Sequence, residues 1–217
     1  MCGRYQLSST PKDVQKHFNI GSPFTFKPSY NITPSSYCPI VRLNNEKNEM
    51  ALCFWGLIPS WAKDKKITPI NAKAETIREK SFFRIAYRKH RCIIPANGFY
   101  EWKGTKGNKE PFYFYPNDSD FFGFAGLWEI WEHPDEVIES FTIITTEANS
   151  IMAPIHERMP VILNEKDYKL WLNTDEYSLL KPYDAEGMRC HPVSKAVNSP
   201  TNDGHELISK NSANHFE

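Results

Sequence analysis

The stretch Arg-Cys-Ile-Ile-Pro-Ala-Asn-Gly-Phe-Tyr-Glu-Trp at 91–102 decides the fold. Arg91 to Ile94 and Gly98 to Trp102 interleave β-branched or aromatic residues with polar ones, as strands do. The same alternation returns at Pro111 to Tyr115, Phe121 to Ile130 and Ser140 to Thr145. Upstream, Cys38 to Leu43 and Met50 to Trp55 are joined by a polar Asn/Glu/Lys turn and read as a hairpin. Pro28 to Pro39 reads as an extended loop, and Gly56 to Pro69 as a loop carrying Trp61 and the first lysines. Ser9-Thr10-Pro11-Lys12-Asp13 opens a helix that ends near Phe18, because a hydroxyl cap, a proline and an acid all suit a helix start. Glu75 to His90 reads as mostly helical and strongly basic. Glu165 to Leu172 and Glu176 to Leu180 read as short helices, and Cys190 to Val193 as a last strand. Many short strands with few helices predict an α+β fold, one domain over residues 1–208. Its core is a curved, mainly antiparallel, barrel-like sheet with flanking short helices. Residues 209–217 are expected to be a flexible tail.

Composition narrows the function. The 217 residues are 40% hydrophobic and 24% charged, which is ordinary globular material. The longest apolar runs, such as Phe121 to Trp128, fall far short of the ~20 residues of a membrane span. Nothing after Met1 resembles a secretory leader. Five cysteines stand at 2, 38, 53, 92 and 190 with no C-x-x-C pair, which disfavours a zinc cage or a disulfide framework and fits a reducing cytoplasm. Basic and acidic residues number 26 each, yet the net charge is +3 over 1–62, +8 over 63–110 and −11 over 111–217. The basic middle can hold phosphates on one face while the acidic remainder keeps the chain soluble; a solvated face is the plainer reading.

Five positions could carry chemistry. Loss of Met1 would leave Cys2 with a thiol and a primary amine two carbons apart, titrating near ~8.5 and ~7.7–8.0. Such an aminothiol captures an aldehyde: the amine forms an imine, and the sulfur closes a five-membered thiazolidine in an intramolecular step. Gly3 supplies a tight turn beside it. Glu101, flanked by aromatics, is poorly hydrated and suits proton transfer; taken alone it reads as an outward-facing acid. His156 stands between Pro154 and Pro160, which stiffen its loop, and Arg158 two residues on faces the same way and suits a phosphate; a solvated loop is the plainer reading. Asn71, among small residues, suits a hydrogen bond to a sugar oxygen, or a turn or cap. Trp61, in a lysine-rich loop, has the character of a base-stacking residue, whereas Trp55, Trp102 and Trp128 read as core. No Walker loop, G-x-G-x-x-G or HExxH occurs.

Together these segments resemble the SRAP (SOS response-associated peptidase) family. The matching pieces are Met-Cys-Gly-Arg-Tyr at 1–5, Tyr-Asn-Ile-Thr-Pro at 30–34 and Trp-Gly-Leu-Ile-Pro-Ser-Trp-Ala at 55–62. Further pieces are Asn-Ala-Lys-Ala-Glu-Thr at 71–76, the 91–102 stretch, and Phe-Ala-Gly-Leu-Trp-Glu at 124–129. The series closes with Thr-Thr-Glu-Ala-Asn at 145–149, Ile-His-Glu-Arg-Met-Pro at 155–160 and Val-Asn at 197–198. The resemblance implies a sensor that removes its own Met1, binds single-stranded DNA and traps the ring-opened aldehyde of an abasic site as a thiazolidine on Cys2. It implies Cys2 as nucleophile, Asn71 as the amide on the opened deoxyribose, Glu101 as acid/base in Met1 removal and imine formation, and His156 as the proton donor for ring opening. It further implies DNA contacts from Arg4, Trp61, Lys73, Thr145 and Arg158. No cofactor or metal is expected, nor a membrane, and the expected state is a monomer. Lys73 stands where the family usually has arginine, which keeps the charge but loses the planar fork.

Three other readings compete. A thiol protease acting on foreign proteins through Cys2 and His156 would cleave a peptide in trans, which intramolecular loss of Met1 alone would not show. Met-Cys-Gly also opens N-terminal-nucleophile glutaminases, which would release ammonia from glutamine. A non-covalent single-strand binder would use the basic middle and Trp61, and salt would strip it from DNA completely.

Overall fold

The computed structural model describes residues 2–105 and 107–211. Met1, Lys106 and the part of the expected tail at 212–217 lie outside the described residues. In chain order the elements are β1 (Tyr5–Leu7), α1 (Pro11–His17), β2 (Ser29–Ile32), β3 (Tyr37–Asn44), β4 (Lys47–Trp55) and β5 (Asn71–Lys73). There follow α2 (Ser81–Lys89), β6 (Arg91–Ala96), β7 (Gly98–Thr105), β8 (Asn108–Pro116), β9 (Phe122–His133) and β10 (Glu136–Glu147). The chain closes with β11 (Arg158–Pro160), β12 (Ile162–Leu163), α3 (Tyr168–Asn173) and β13 (Met188–Pro192).

The fold is mixed α+β and sheet-dominated. One sheet runs β13-β8-β7-β1-β2. The other runs β11-β10-β4-β3-β6-β9-β12, and β10 also pairs with β9. That extra pairing closes β10, β4, β3, β6 and β9 into a five-stranded barrel, which leaves those strands no free edge. Most pairings are antiparallel; β10 runs parallel to β4 and β5.

Local chemistry explains several elements, within the barrel and outside it. Thr10 caps α1 by accepting the Asp13 N–H, while the Asp13 carboxylate accepts the Thr10 N–H, a reciprocal capping box. The β3–β4 hairpin turns at Asn45 and Glu46, both at positive φ (48° and 62°), the geometry that matches the twist of paired strands. Gly98 starts β7 where a Cβ would fall 2.5 Å from the Phe114 carbonyl oxygen, so no side chain fits there.

Three expectations need correction. The helix expected over 75–90 is shorter. Residues Ala74–Thr76 form a single 3-10 turn, the Thr76 carbonyl accepts from Glu79 and Lys80, and α2 begins only at Ser81. The break lets Ile77 enter the core while α2 separately buries Phe83, Ala86 and Tyr87. The loop expected over 28–39 contains β2, which forms only because β1 offers it a partner from 22 residues or more upstream in register. Of the tryptophans read as core, Trp55 is fully buried, but Trp102 and Trp128 are half-buried. Arg42 covers Trp128 at 4.2 Å, and Trp102 donates to the Asn198 side chain at 2.7 Å.

The core is aromatic. Phe99 stacks on Phe114 at 4.9 Å, and Tyr5 meets Trp55 edge-on at 5.2 Å. Each such side chain, fully buried, contributes about 1.5–3 kcal/mol. Among the described residues no helix is long and apolar enough to cross a membrane.

Candidate functional site

The chain ahead of β1 extends the β1–β7 ladder. Tyr5 pairs with Phe99, and one step back the Arg4 carbonyl accepts from the Tyr100 N–H at 3.0 Å. This brings Cys2 alongside Glu101. The thiol is wholly buried and Glu101 is 4% exposed. Burial pushes the Cys2 thiol well above its ordinary value, the Glu101 carboxylate raises it further, and the Arg4 backbone N–H opposes the shift. The sulfur therefore holds its proton until a neighbouring base removes it.

Alternation along the same strands separates two expected partners. Tyr5, Phe99 and Glu101 share one face; Arg4 lies on the other. Its guanidinium is held by the Asn31 side chain at 2.7 Å and the Val197 carbonyl at 2.6 Å, with the Trp102 ring at 5.7 Å. Arg4 is thus tied to the C-terminal segment behind the sheet.

A second group forms where β5 and β11 flank the end of β10. Asn71 pairs in register with Ile143 and Lys73 with Thr145; on the other side Thr145 faces Pro160 and Glu147 faces Arg158. Both amide atoms of Asn71 are shielded from water and meet no hydrogen-bond partner among the described residues. Leaving such a group unsatisfied costs about 1–3 kcal/mol, so a ligand offering both a donor and an acceptor would be stabilised there. His156 follows a turn in which its N–H bonds to the Met152 carbonyl at 3.0 Å. Its Nδ1 accepts the Arg158 backbone N–H at 2.9 Å and lies 3.1 Å from the Arg158 carbonyl. The tautomer sets which of the two contacts Nδ1 serves: without a proton it accepts the N–H, with one it faces the carbonyl.

The Arg158 guanidinium is itself locked. Nη1 and Nη2 meet the Glu75 carboxylate at 2.5 and 2.9 Å, and Nη2 also donates to the Thr145 carbonyl at 2.7 Å. The pairing with Arg158 holds the Glu75 carboxyl below the usual carboxylate range. Thr145 is fully buried and serves as backbone support, whereas Lys73 is exposed beside Glu75. Tyr5 and Trp55 link the two groups. Tyr5 packs next to Cys2 and against Trp55, whose indole N–H donates to the Ile70 carbonyl at 3.0 Å, the residue before Asn71.

Trp61 stands apart on its loop. It is 53% exposed and meets Phe82, in the first turn of α2, edge-on at 5.8 Å. Glu75 is a member of this group that sequence reasoning does not single out, because nothing in the chain pairs an acid at 75 with an arginine 83 positions later. Among the described residues no cluster of three or more His, Cys, Asp or Glu could hold a metal ion.

The barrel fold and this pair of sites define a protein class. The family described as SOS response associated peptidase (SRAP) matches residues 1–200, and the chain belongs to that family. Among its relatives, the abasic site processing protein YoqW of Bacillus subtilis (strain 168) is 45% identical, over 96% of this chain and 99% of its own. The abasic site processing protein HMCES of Xenopus tropicalis is 29% identical, over 96% of this chain and 78% of its own. A crystal structure of a protein from Bacteroides thetaiotaomicron superposes with a TM-score of 0.87 at 30% identity, covering 97% of this chain and all of that one.

Proposed function

We propose that this chain processes abasic sites in single-stranded DNA by covalent capture. The observation that carries the reading is the burial of Cys2 beside the Glu101 carboxylate. The names of the relatives, abasic site processing proteins, supply the substrate class.

In this reading Glu101 first assists hydrolysis of the Met1–Cys2 bond, which frees the amine. An abasic deoxyribose exists as a closed hemiacetal. His156 protonates the ring oxygen through Nε2, the C1′ aldehyde is exposed, and the Asn71 amide holds the opened sugar. The Cys2 amine adds to C1′, and water leaves as the imine forms with Glu101 moving protons. The thiol then gives its proton to Glu101, and the sulfur adds to the imine carbon. The thiazolidine closes with one water released overall. Proximity supplies the advantage: amine and thiol sit on one residue, so ring closure needs no second encounter. Arg158 and Lys73 offer cations for the flanking phosphates.

Intact mass spectrometry before and after mixing with an abasic oligonucleotide tests this. The protein should lack Met1 and should gain the mass of the oligonucleotide less one water, in an adduct that survives denaturation. Cys2→Ala should abolish the adduct, and Glu101→Gln should retain Met1 or slow adduct formation. A protein that keeps Met1 and releases all DNA on denaturation would overturn the proposal.

A further inference from the structure

Beside the second group the surface carries a cleft lined by Arg78, Arg84, Tyr87, Arg88 and Asp175. It is joined to the candidate site by direct contacts. Glu75 pairs with Arg158, and the carbonyl of the preceding residue, Ala74, accepts from the Tyr177 hydroxyl at 3.3 Å. The Tyr177 ring lies under the Arg78 guanidinium at 4.3 Å. Arg78 also reaches the Tyr87 hydroxyl at 3.4 Å and the Asp175 carbonyl at 3.2 Å, which fixes its position. Arg84 and Arg88 stand four residues apart on the exposed side of α2. Neither guanidinium has a hydrogen-bond or ion-pair partner among the described residues. Behind them the buried Arg91 donates to the Tyr87 and Arg88 carbonyls at 2.6 and 2.9 Å.

Like charges at this helical spacing oppose each other by about 0.2–0.5 kcal/mol. Two acids are near Arg78, Asp175 at the cleft and Glu176 beyond it, and they leave the cluster net positive. An anion between Arg84 and Arg88 would remove the repulsion. Guanidinium forks suit the paired oxygens of a phosphate.

We propose that this α2 cleft binds a backbone phosphodiester of the DNA strand as it leaves the lesion pocket, with Arg84 and Arg88 as its ligands and Arg78 as a fixed third cation. The inference rests on the abasic-site reading for its DNA partner. It adds a contact point on a different element from Cys2, Asn71, Glu101 and His156.

The test is fluorescence anisotropy with an undamaged single-stranded oligonucleotide at rising sodium chloride. The Arg84→Gln/Arg88→Gln double variant should lower the slope of log affinity against log salt by about 0.7, the share of the one phosphate no longer neutralised. Arg84→Lys/Arg88→Lys should keep most of the slope. Glutamine is a good helix former at exposed positions, so a thermal midpoint near wild type confirms that the fold is intact. An unchanged slope in the Gln variant overturns the proposal. The same holds if inorganic phosphate shifts the Arg84 and Arg88 side-chain N–H resonances while the slope stays put, since the cleft would then take free anions only. Adduct mass separates the two readings. A wild type that crosslinks abasic DNA while the slope is unaffected sinks the cleft alone. A wild type that never crosslinks sinks the abasic-site reading, and the salt slope still reports on the cleft.

Discussion

Glu75 ties down its neighbours through contacts alone. Its carboxylate takes both Arg158 nitrogens, and Arg158 in turn presents its backbone N–H to His156. A phosphate arriving at Arg158 must compete with that carboxylate. Glu75→Gln keeps the shape and removes the charge, so two effects should separate. Non-covalent affinity for single-stranded DNA should rise by a factor of about 2–5, the equivalent of an exposed ion pair worth up to about 1 kcal/mol. The limiting rate of adduct formation at saturating DNA should fall, because Arg158 and the loop carrying His156 lose their anchor. A limiting rate equal to wild type would show that Glu75 has no positioning role. The sign with pH is fixed too. Arg158 lowers the Glu75 carboxyl, so the pair is intact above the ordinary carboxylate value of about 4.3 and is lost only as pH falls through the lowered one.

At the level of elements, α1 is held by local chemistry and β2 by distant chemistry. The α1 helix has only seven residues and buries one of them, Val14, so its cap matters. Thr10→Ala should cost about 1 kcal/mol. In a chain of this size that lowers the thermal midpoint by about 2–4 °C, measurable by calorimetry, and adduct formation should be unchanged. A decrease several times larger would mean that α1 supports the site. In contrast, β2 has no strand signature of its own and exists because β1 lies beside it. β5 is similar: three residues, Asn71 to Lys73, are drawn straight by pairing with Ile143 to Thr145.

For the whole molecule, folding leaves four thiols buried, three of them on barrel strands. Cys2, Cys38, Cys53 and Cys92 are buried. Burial pushes Cys38 up to about 12 and, with help from Glu139, Cys53 to about 12; Cys2 and Cys92 are also raised by burial. In the unfolded chain each ionises near about 8.5. Below that pH both states hold the proton and stability is unaffected. As pH rises from about 8.5 towards 12 the unfolded chain sheds protons that the native chain keeps, so stability falls. The thermal midpoint should therefore hold steady from about pH 7 to 8 and drop progressively above about 8.5. Serine at Cys38 or Cys53 should soften the drop. A midpoint flat to about pH 11 would contradict the burial of these thiols.

The reach of the sequence follows from the range of the forces involved. Alternating residues at 91–145 determine strands because the period of two is a property of each strand alone, and the Thr10 cap with Pro11 and Asp13 determines a helix start within four residues. Cys2, Asn71, Glu101 and His156 stand in the sequence as candidates, and their roles belong to the proposed function. Tertiary structure alone decided which segments come together around them. The pairing of β9 with β10 closes the barrel, strand alternation turns Arg4 away from the face of Glu101, and the lock between Glu75 and Arg158 spans 83 positions. Such contacts depend on register between distant segments, and register is a collective property of burial that no local pattern encodes.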